Sequence, residues 1–252
     1  MKAYTRSFKH TWLPGFVLFM VFFVCSTSCN KEDDNTPVIK ETGTMTDIDG
    51  NVYKTIKIGN QWWMAENLKV GKFRNGTFLR LAASAAEWAD STHKPAYCIY
   101  DNNNTAPGCL YNWQAVSDTN QLAPEGWHIP SDDEWKELER YVGMSAAEAG
   151  KVGWRGAHEG EKLKIQSPQN WTDFEGVWST NESGFSALAG SCRLHDGSWG
   201  DPGLAATGFW WTSGSYSGEE SWYRYLDYKN ANVFRSHCNS GYGFSVRCVK
   251  NQ

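Results

Sequence analysis

The chain has 252 residues, with 24 Lys and Arg against 28 Asp and Glu, a net charge of −4. No stretch gathers its basic residues into a stripe, which excludes a nucleic-acid surface, where clustered Lys and Arg must meet phosphates. Fourteen tryptophans exceed ordinary usage severalfold; such rings build rigid cores and also stack on ligands.

Lys2, Arg6, Lys9 and His10 give a basic start, and Phe16–Val24 is an apolar run. The run falls short of the roughly 20 residues a membrane-spanning helix needs. With its basic flank and the small residues after it, the pattern predicts a signal peptide over 1–28. An uncleaved anchor is the rival reading. The segment resembles the signal of bacterial lipoproteins, with Cys29 the lipidated residue. Cys25 is the rival acceptor, disfavoured by the bulky Phe23 and Val24 before it. Ser26 stands where such signals usually carry Leu, a looser box that resembles those of Bacteroidetes. The run 31–34, Lys-Glu-Asp-Asp, resembles the export signal that sends some of those lipoproteins to the cell's outer face; a solvated tether is the plain alternative. The expected localisation is therefore the outer membrane, on its cell-surface or periplasmic face, with the N-terminal lipid as the membrane partner. Cleavage removes three basic residues and no acidic one, leaving 21 against 28, a net charge of −7 on 224 residues. That length suits one large domain, expected over 43–252 behind a polar linker at 29–42.

The stretch 44–68 alternates apolar and polar residues around the turn signals Asp49-Gly50 and Gly59-Asn60, which predicts a three-stranded meander. Asp47–Asn51 has the oxygen-rich look of a calcium loop but lacks the closing glutamate. A hairpin turn accounts for the same residues. A short helix is expected over 82–90, and two short strands over 95–113 around a polar loop. Asp101–Asn104 in that loop offer side-chain oxygens to a cation, although Asx turns explain them as well.

"EGWHIPSDDEW", residues 125–135, sets four carboxylates beside a histidine. Ser131 and Glu134 are spaced as a helix capping box, and Asp132 and Asp133 fall in the first turn, where the helix dipole favours negative charge. Trp135, Leu138 and Val142 recur at helical spacing, and Gly143 ends the helix. His128 alternates with Trp127 and Ile129 in an expected strand. The cluster thus reads as a helix start, not a catalytic centre. A second short helix follows, then a loop over 166–182 carrying Trp171 and Trp178. Strands are expected at 185–194, 209–214, 221–228, 232–237 and 241–250, in an antiparallel sheet that the N-terminal strands join.

Six stretches occur in order: "GNQWWMAENL", "LYNW", "PEGWHIPSDDEW", "NESGFSALAG", "FWWTS" and "GFSVRCVK". Together, over about 45–250, they resemble the Fibrobacter succinogenes major paralogous domain. That family is similar in turn to the C-type lectin-like fold, through the branch of the formylglycine-generating enzyme. The resemblance implies an α+β fold of mainly antiparallel sheets with about two helices and long loops. It also implies a disulfide between Cys192 and Cys238. Cys98 and Cys109 flank one loop and form a second candidate pair. Cys248 is then the odd thiol, since Ala123 stands where the family often has a cysteine; alternatively Cys248 takes Cys98 or Cys109.

An enzyme of the formylglycine-generating type would need a reactive cysteine pair that captures copper. Cys238 and Cys248 are the late pair, but the enzyme's motif is absent, as are a Walker loop and a metalloprotease signature. The calcium-binding triplets of sugar-binding lectins are absent too. No metal and no cofactor are expected. The reading is a non-catalytic surface protein that binds a ligand or adheres, with a glycan or a surface protein as its partner. Candidate contacts are Trp63 and Trp210, one of each adjacent pair in a strand, and Trp171, Trp178 and Trp199 in loops, where binding residues concentrate. Arg193, His195 and Asp196 form a polar group beside Trp199. A purely structural module is the other alternative.

Overall fold

The computed structural model describes residue 3 and residues 40–100, 107–166, 170–200 and 205–252. Cys29, the signal segment and the Asp101–Asn104 loop lie outside the described residues. Two units divide the chain, Met1–Val38 and Ile39–Gln252, and every element below belongs to the second. Among the described residues no helix is long and apolar enough to cross a membrane.

The meander forms as the alternation predicts: β1 (Thr42–Thr46), β2 (Val52–Ile58) and β3 (Gln61–Met64) pair antiparallel. Asp47 closes the first turn, its Oδ1 accepting from the Asp49 and Asn51 amides at 2.9 Å. Its Oδ2 accepts from the Tyr53 hydroxyl at 2.5 Å. The Asp47 oxygens are therefore committed to the turn, and those of Asp49 to the Gly71 amide and Lys72. Among the described residues, no group of three His, Cys, Asp or Glu is arranged to hold a metal.

β4 (Arg80–Leu81), β5 (Ala96–Ile99) and β6 (Cys109–Tyr111) form a small mixed sheet around α1 (Ala85–Ala89). The short helix α2 (Trp113–Val116) follows, capped by the Asn112 side chain. β7 (Trp127–His128) leads into α3 (Asp132–Tyr141). The capping box is present: the Glu134 amide donates to Ser131 Oγ at 3.2 Å and the Ser131 amide donates to Glu134 Oε2 at 2.7 Å, an arrangement worth about 1 kcal/mol. Trp135, Leu138 and Val142 are buried, each contributing about 1.5–3 kcal/mol by leaving water. At Gly143 the backbone turns left-handed, φ +122°, which costs glycine nothing.

α4 (Ala146–Ala149), β8 (Gly153–Arg155) and α5 (Glu159–Leu163) come next. The long hairpins β9 (Thr207–Ser217), β10 (Glu220–Asp227) and β11 (Val233–Asn239) then build a four-stranded sheet in the order β8-β11-β10-β9. The last strand, β12 (Val249–Lys250), inserts between β3 and β7, so both ends of the domain share the sheet β1-β2-β3-β12-β7. The architecture is α+β and mainly antiparallel. Five helices occur among the described residues where the sequence pattern predicts about two, and four of them are single turns of four or five residues.

One expected strand is missing. Residues 185–194 make only isolated bridges, Ala187 to Lys164, Ser191 to Gly208, and Arg193 to both Trp199 and Gly243. Ser186 and Ser191 adopt φ values of +56° and +54°, which break an extended run.

The core between α3 and the two larger sheets is aromatic. Trp63, Trp135 and Phe185 meet edge to face, with centroids 5.1–5.6 Å apart. It also contains charge. Glu139, fully buried, accepts from Arg155 twice, at 2.6 and 2.7 Å, and from Arg224 Nε at 2.7 Å. Asp132 accepts from Arg224 and Arg235 at 2.7–2.8 Å. Burial alone would raise the Asp132 carboxyl; the Arg235 hydrogen bond, with Arg224 and Lys136, outweighs it and holds the pKa below the usual carboxylate range. So Asp132, read from sequence as a dipole-complementing residue, also ties α3 to β10 and β11.

Candidate functional site

The histidine and carboxylates of the opening motif do come together. His128 Nε2 lies 2.7 Å from Glu134 Oε1, and His128 Nδ1 lies 2.7 Å from Asn251 Oδ1. They sit beside a groove of about 290 Å³ that Arg74, Trp127, Ser213 and Asn251 also line. The Glu134 hydrogen bond, outweighing burial, raises the His128 pKa. For Glu134, burial acts upward, but His128 and the Ser131 contacts lower it. Both imidazole nitrogens have partners, and Glu134 Oε2 is held by the Ser131 amide and hydroxyl. The group acts as a latch that joins β7, the start of α3 and the C-terminal residues.

Among the described residues, Cys98, Cys109, Cys238 and Cys248 carry free thiols. The antiparallel register sets Cys98 opposite Leu110 and Ile99 opposite Cys109. Neighbouring strand residues point to opposite faces, so Cys98 and Cys109 face different cores. A Cys98–Cys109 bond would require this register to break. Cys192 and Cys238 pack against the same core cluster. Burial pushes the Cys98 and Cys109 thiols up to about 12 and raises Cys238 and Cys248 also.

The five tryptophans singled out from sequence separate clearly. Trp63 and Trp210 are buried, 0% and 1% exposed. The rule that adjacent strand residues face opposite sides holds for the Trp210-Trp211 pair, but both sides of β9 are covered, so neither ring leaves the core. Trp63 Nε1 donates to Gln61 and Trp210 Nε1 to Asn67, consistent with structural anchors. Trp199 is half-buried, with the Arg193 guanidinium 4.0 Å over its ring. Trp171 and Trp178 belong to one cleft.

That cleft, about 540 Å³, opens between the loop 171–179 and Tyr228, within the size range of small-molecule sites. Its base is built from α5. The Lys164 amide donates to Gly160 O and the Ile165 amide to Ala187 O, both at 3.0 Å, fixing the backbone as it leaves the helix. The Lys164 side chain is buried, with Nζ donating to Asn230 O at 2.7 Å and lying 5.2 Å over the Trp171 ring. Burial lowers its pKa to about 8. Trp171 is itself 3% exposed, and its Nε1 donates to Ala187 O at 2.9 Å.

The loop above reverses in a tight turn, the Val177 amide donating to Phe174 O at 3.1 Å. Gly176 takes φ +81° there, a conformation that favours glycine. Glu161, buried on α5, accepts from the Trp178 amide at 2.7 Å, and its other oxygen lies 2.8 Å from His158 Nδ1. This anchor holds the Trp178 backbone while its ring stays 68% exposed. Phe174 is 44% exposed and meets Tyr228 edge to face at 5.9 Å. Asp173 and Glu175 stand exposed on the same loop, with no ion-pair partner among the described residues. Neither histidine nor cysteine lines the cleft. Phe174, Tyr228, Asp173 and Glu175 were not among the sequence candidates. Only the exposed position of "WTDFEGVW" between elements signalled the first, third and fourth of these. Tyr228, one residue past β10, carried no signal until the hairpin folded back.

The model of the Fibrobacter succinogenes major domain matches residues 56–250. The chain belongs to this family. No curated protein and no solved structure matches the chain. The matched span of the Fibrobacter succinogenes major domain runs from within β2 to β12, so it includes the His128–Glu134 pair and the aromatic cleft, while Asn251 lies one residue past it.

Proposed function

We propose that this family member is an exported, lipid-anchored outer-membrane protein that binds a glycan without catalysis, using the cleft between loop 171–179 and Tyr228. The observation that carries this reading is the exposed ring of Trp178 on an anchored backbone, beside Phe174 and Tyr228 in one concavity. Apolar sugar faces stack on such rings, and the Gln166, Thr172 and Ser179 side chains in the same lining offer hydrogen-bond partners to hydroxyls. We read the fold as C-type lectin-like, supported by the shared sheet of the terminal strands. Lipidation at Cys29 rests on the N-terminal sequence alone. Oxidase chemistry needs two accessible thiolates; Cys248 is 0% exposed and burial raises both late thiols, which speaks for binding instead.

The test is a glycan array probed with the full chain in detergent. Wild type should retain at least one glycan, and Trp178→Ala should weaken that binding about tenfold, an aromatic contact of about 1.4 kcal/mol, with an unchanged melting temperature. Binding to no glycan, or equal binding by the variant, would refute the reading and favour a module that contacts protein.

A further inference from the structure

We infer that the cleft selects its glycan through a protonated amine, so that the ligand class is an amino sugar; this rests on the glycan reading above. Two carboxylates line the site and two more lie near its buried lysine. Asp173 and Glu175 line it, while Asp227 and Glu161 lie close enough to raise the Lys164 pKa against burial. Two amines oppose them. Lys164 is 1% exposed and tied to Asn230 O, so its charge is withdrawn from the open space and offset by Asp227 and Glu161. Lys229 places its Nζ 5.1 Å over the Tyr228 ring, which shows that this ring accepts a cation. The open part of the cleft is then bounded by ring faces and two carboxylates that lack ion-pair partners among the described residues.

That lining discriminates. An acidic sugar would bring its carboxylate to Asp173 and Glu175 with no accessible lysine or arginine in the lining to receive it. A neutral sugar can donate hydroxyls to the carboxylates but leaves their charge unmatched. An amino sugar places its apolar ring face on Trp178 and its ammonium against the carboxylates and ring quadrupoles, the pairing that cation–π attraction favours. Glu161 contributes from behind by fixing the Trp178 amide, so the platform is positioned before the ligand arrives.

The test titrates the full chain in detergent, followed by tryptophan fluorescence, with three oligomers of equal length: glucosamine, N-acetylglucosamine and galacturonate. A lysine-rich peptide is the fourth probe. The measurements are made at pH 6, where the sugar amine is protonated. The glucosamine oligomer should bind at least about tenfold more tightly than its N-acetylated counterpart, and the galacturonate oligomer should not bind. The double variant D173N/E175Q should bind the glucosamine oligomer about fivefold more weakly, as expected for two exposed charge pairs, with unchanged melting temperature, and W178A should bind it about tenfold more weakly. Equal or tighter binding of the N-acetylated oligomer, or an unaffected double variant, would overturn the amine selectivity while leaving glycan binding intact. Tightest binding of the lysine-rich peptide would overturn the sugar class. Failure of every oligomer would overturn both this inference and the glycan reading.

Discussion

Replacing Glu139 by Gln tests whether the buried charges hold the sheet to α3. The carboxylate receives three charged hydrogen bonds of 2.6–2.7 Å, two from Arg155 and one from Arg224. A glutamine keeps the volume but supplies one acceptor oxygen and turns the other position into a donor, which faces a guanidinium. Arg224 keeps Asp132 as its partner. Arg155 keeps Met144 Sδ, the Ala149 carbonyl and at most one neutral amide oxygen, so the cost falls on a buried cation without a counter-ion. Breaking such a pair costs about 3–5 kcal/mol, a large share of the roughly 5–15 kcal/mol that holds a domain folded. With a urea slope of about 2 kcal/mol per molar, the midpoint should fall by about 1.5–2.5 M, read by tryptophan fluorescence. Arg155→Met should cost a similar amount. The double variant E139Q/R155M should cost at least about 1.5 kcal/mol less than the sum of the two, because the stranded cation is gone. A midpoint for E139Q within about 0.5 M of wild type, or strict additivity in the double variant, would refute the argument that this network is coupled and desolvated.

The His128–Glu134 latch should contribute most between pH 4.5 and 6.5, the ordinary values of its two groups. The raised histidine pKa gives stability that is complete below 6.5 and fades as pH rises through the folded value. The lowered glutamate pKa gives stability that is complete above 4.5 and fades as pH falls through its folded value. His128→Asn should therefore lower the melting temperature more at pH 5.5 than at pH 8.5; an equal drop at both would remove the charged contact from the account. Lys164, whose pKa burial lowers to about 8 from 10.5, has the opposite sign. The unfolded chain holds its proton over pH 8–10.5 where the folded one does not, so wild type should gain stability relative to Lys164→Met across that window. A constant difference would place the amine in water. Trp63→Ala should cost about 3–5 kcal/mol in denaturant titration, whereas Trp178→Ala should stay within about 0.5 kcal/mol; comparable losses would mean the exposed ring is part of the core. Iodoacetamide should leave Cys98, Cys109 and Cys248 unmodified in the native chain and label them in urea, as mass spectrometry would show, and rapid native labelling of any of the three would contradict their burial.

Much of the scaffold was legible because it is local. The capping box at Ser131, the alternation of β2 and the glycine after α3 each follow from residues within one turn or one strand. Tryptophan was the poorer guide. Trp63 and Trp210 sit in strands whose pattern is compatible with one ring facing out, and only the second sheet and α3 decide that both are enclosed. The same limit applied to 185–194, whose apolar run reads as a strand until Ser186 and Ser191 turn left-handed to bridge three distant segments. The His128 contact to Glu134 spans six residues, yet the Asn251 contact that completes it joins positions 123 apart. No window along the sequence contains that information.

The cleft shows why a site can be less legible than the fold that carries it. Its exposed ring gains nothing from folding, so Trp178 leaves no periodic mark. What positions it is Glu161, a buried acid whose two oxygens hold the Trp178 amide and His158. A buried carboxylate is costly unless such partners are present, and here one of them is the backbone of the proposed binding loop. Folding α5 therefore draws the loop into place: the hydrogen bonds that stabilise Glu161 also set the platform. Exchanging Glu161 for Gln should consequently weaken ligand binding although Glu161 does not line the cleft, because it loosens the Trp178 backbone. Binding and stability losses should both appear for this variant, in contrast to the binding loss alone expected for Trp178→Ala.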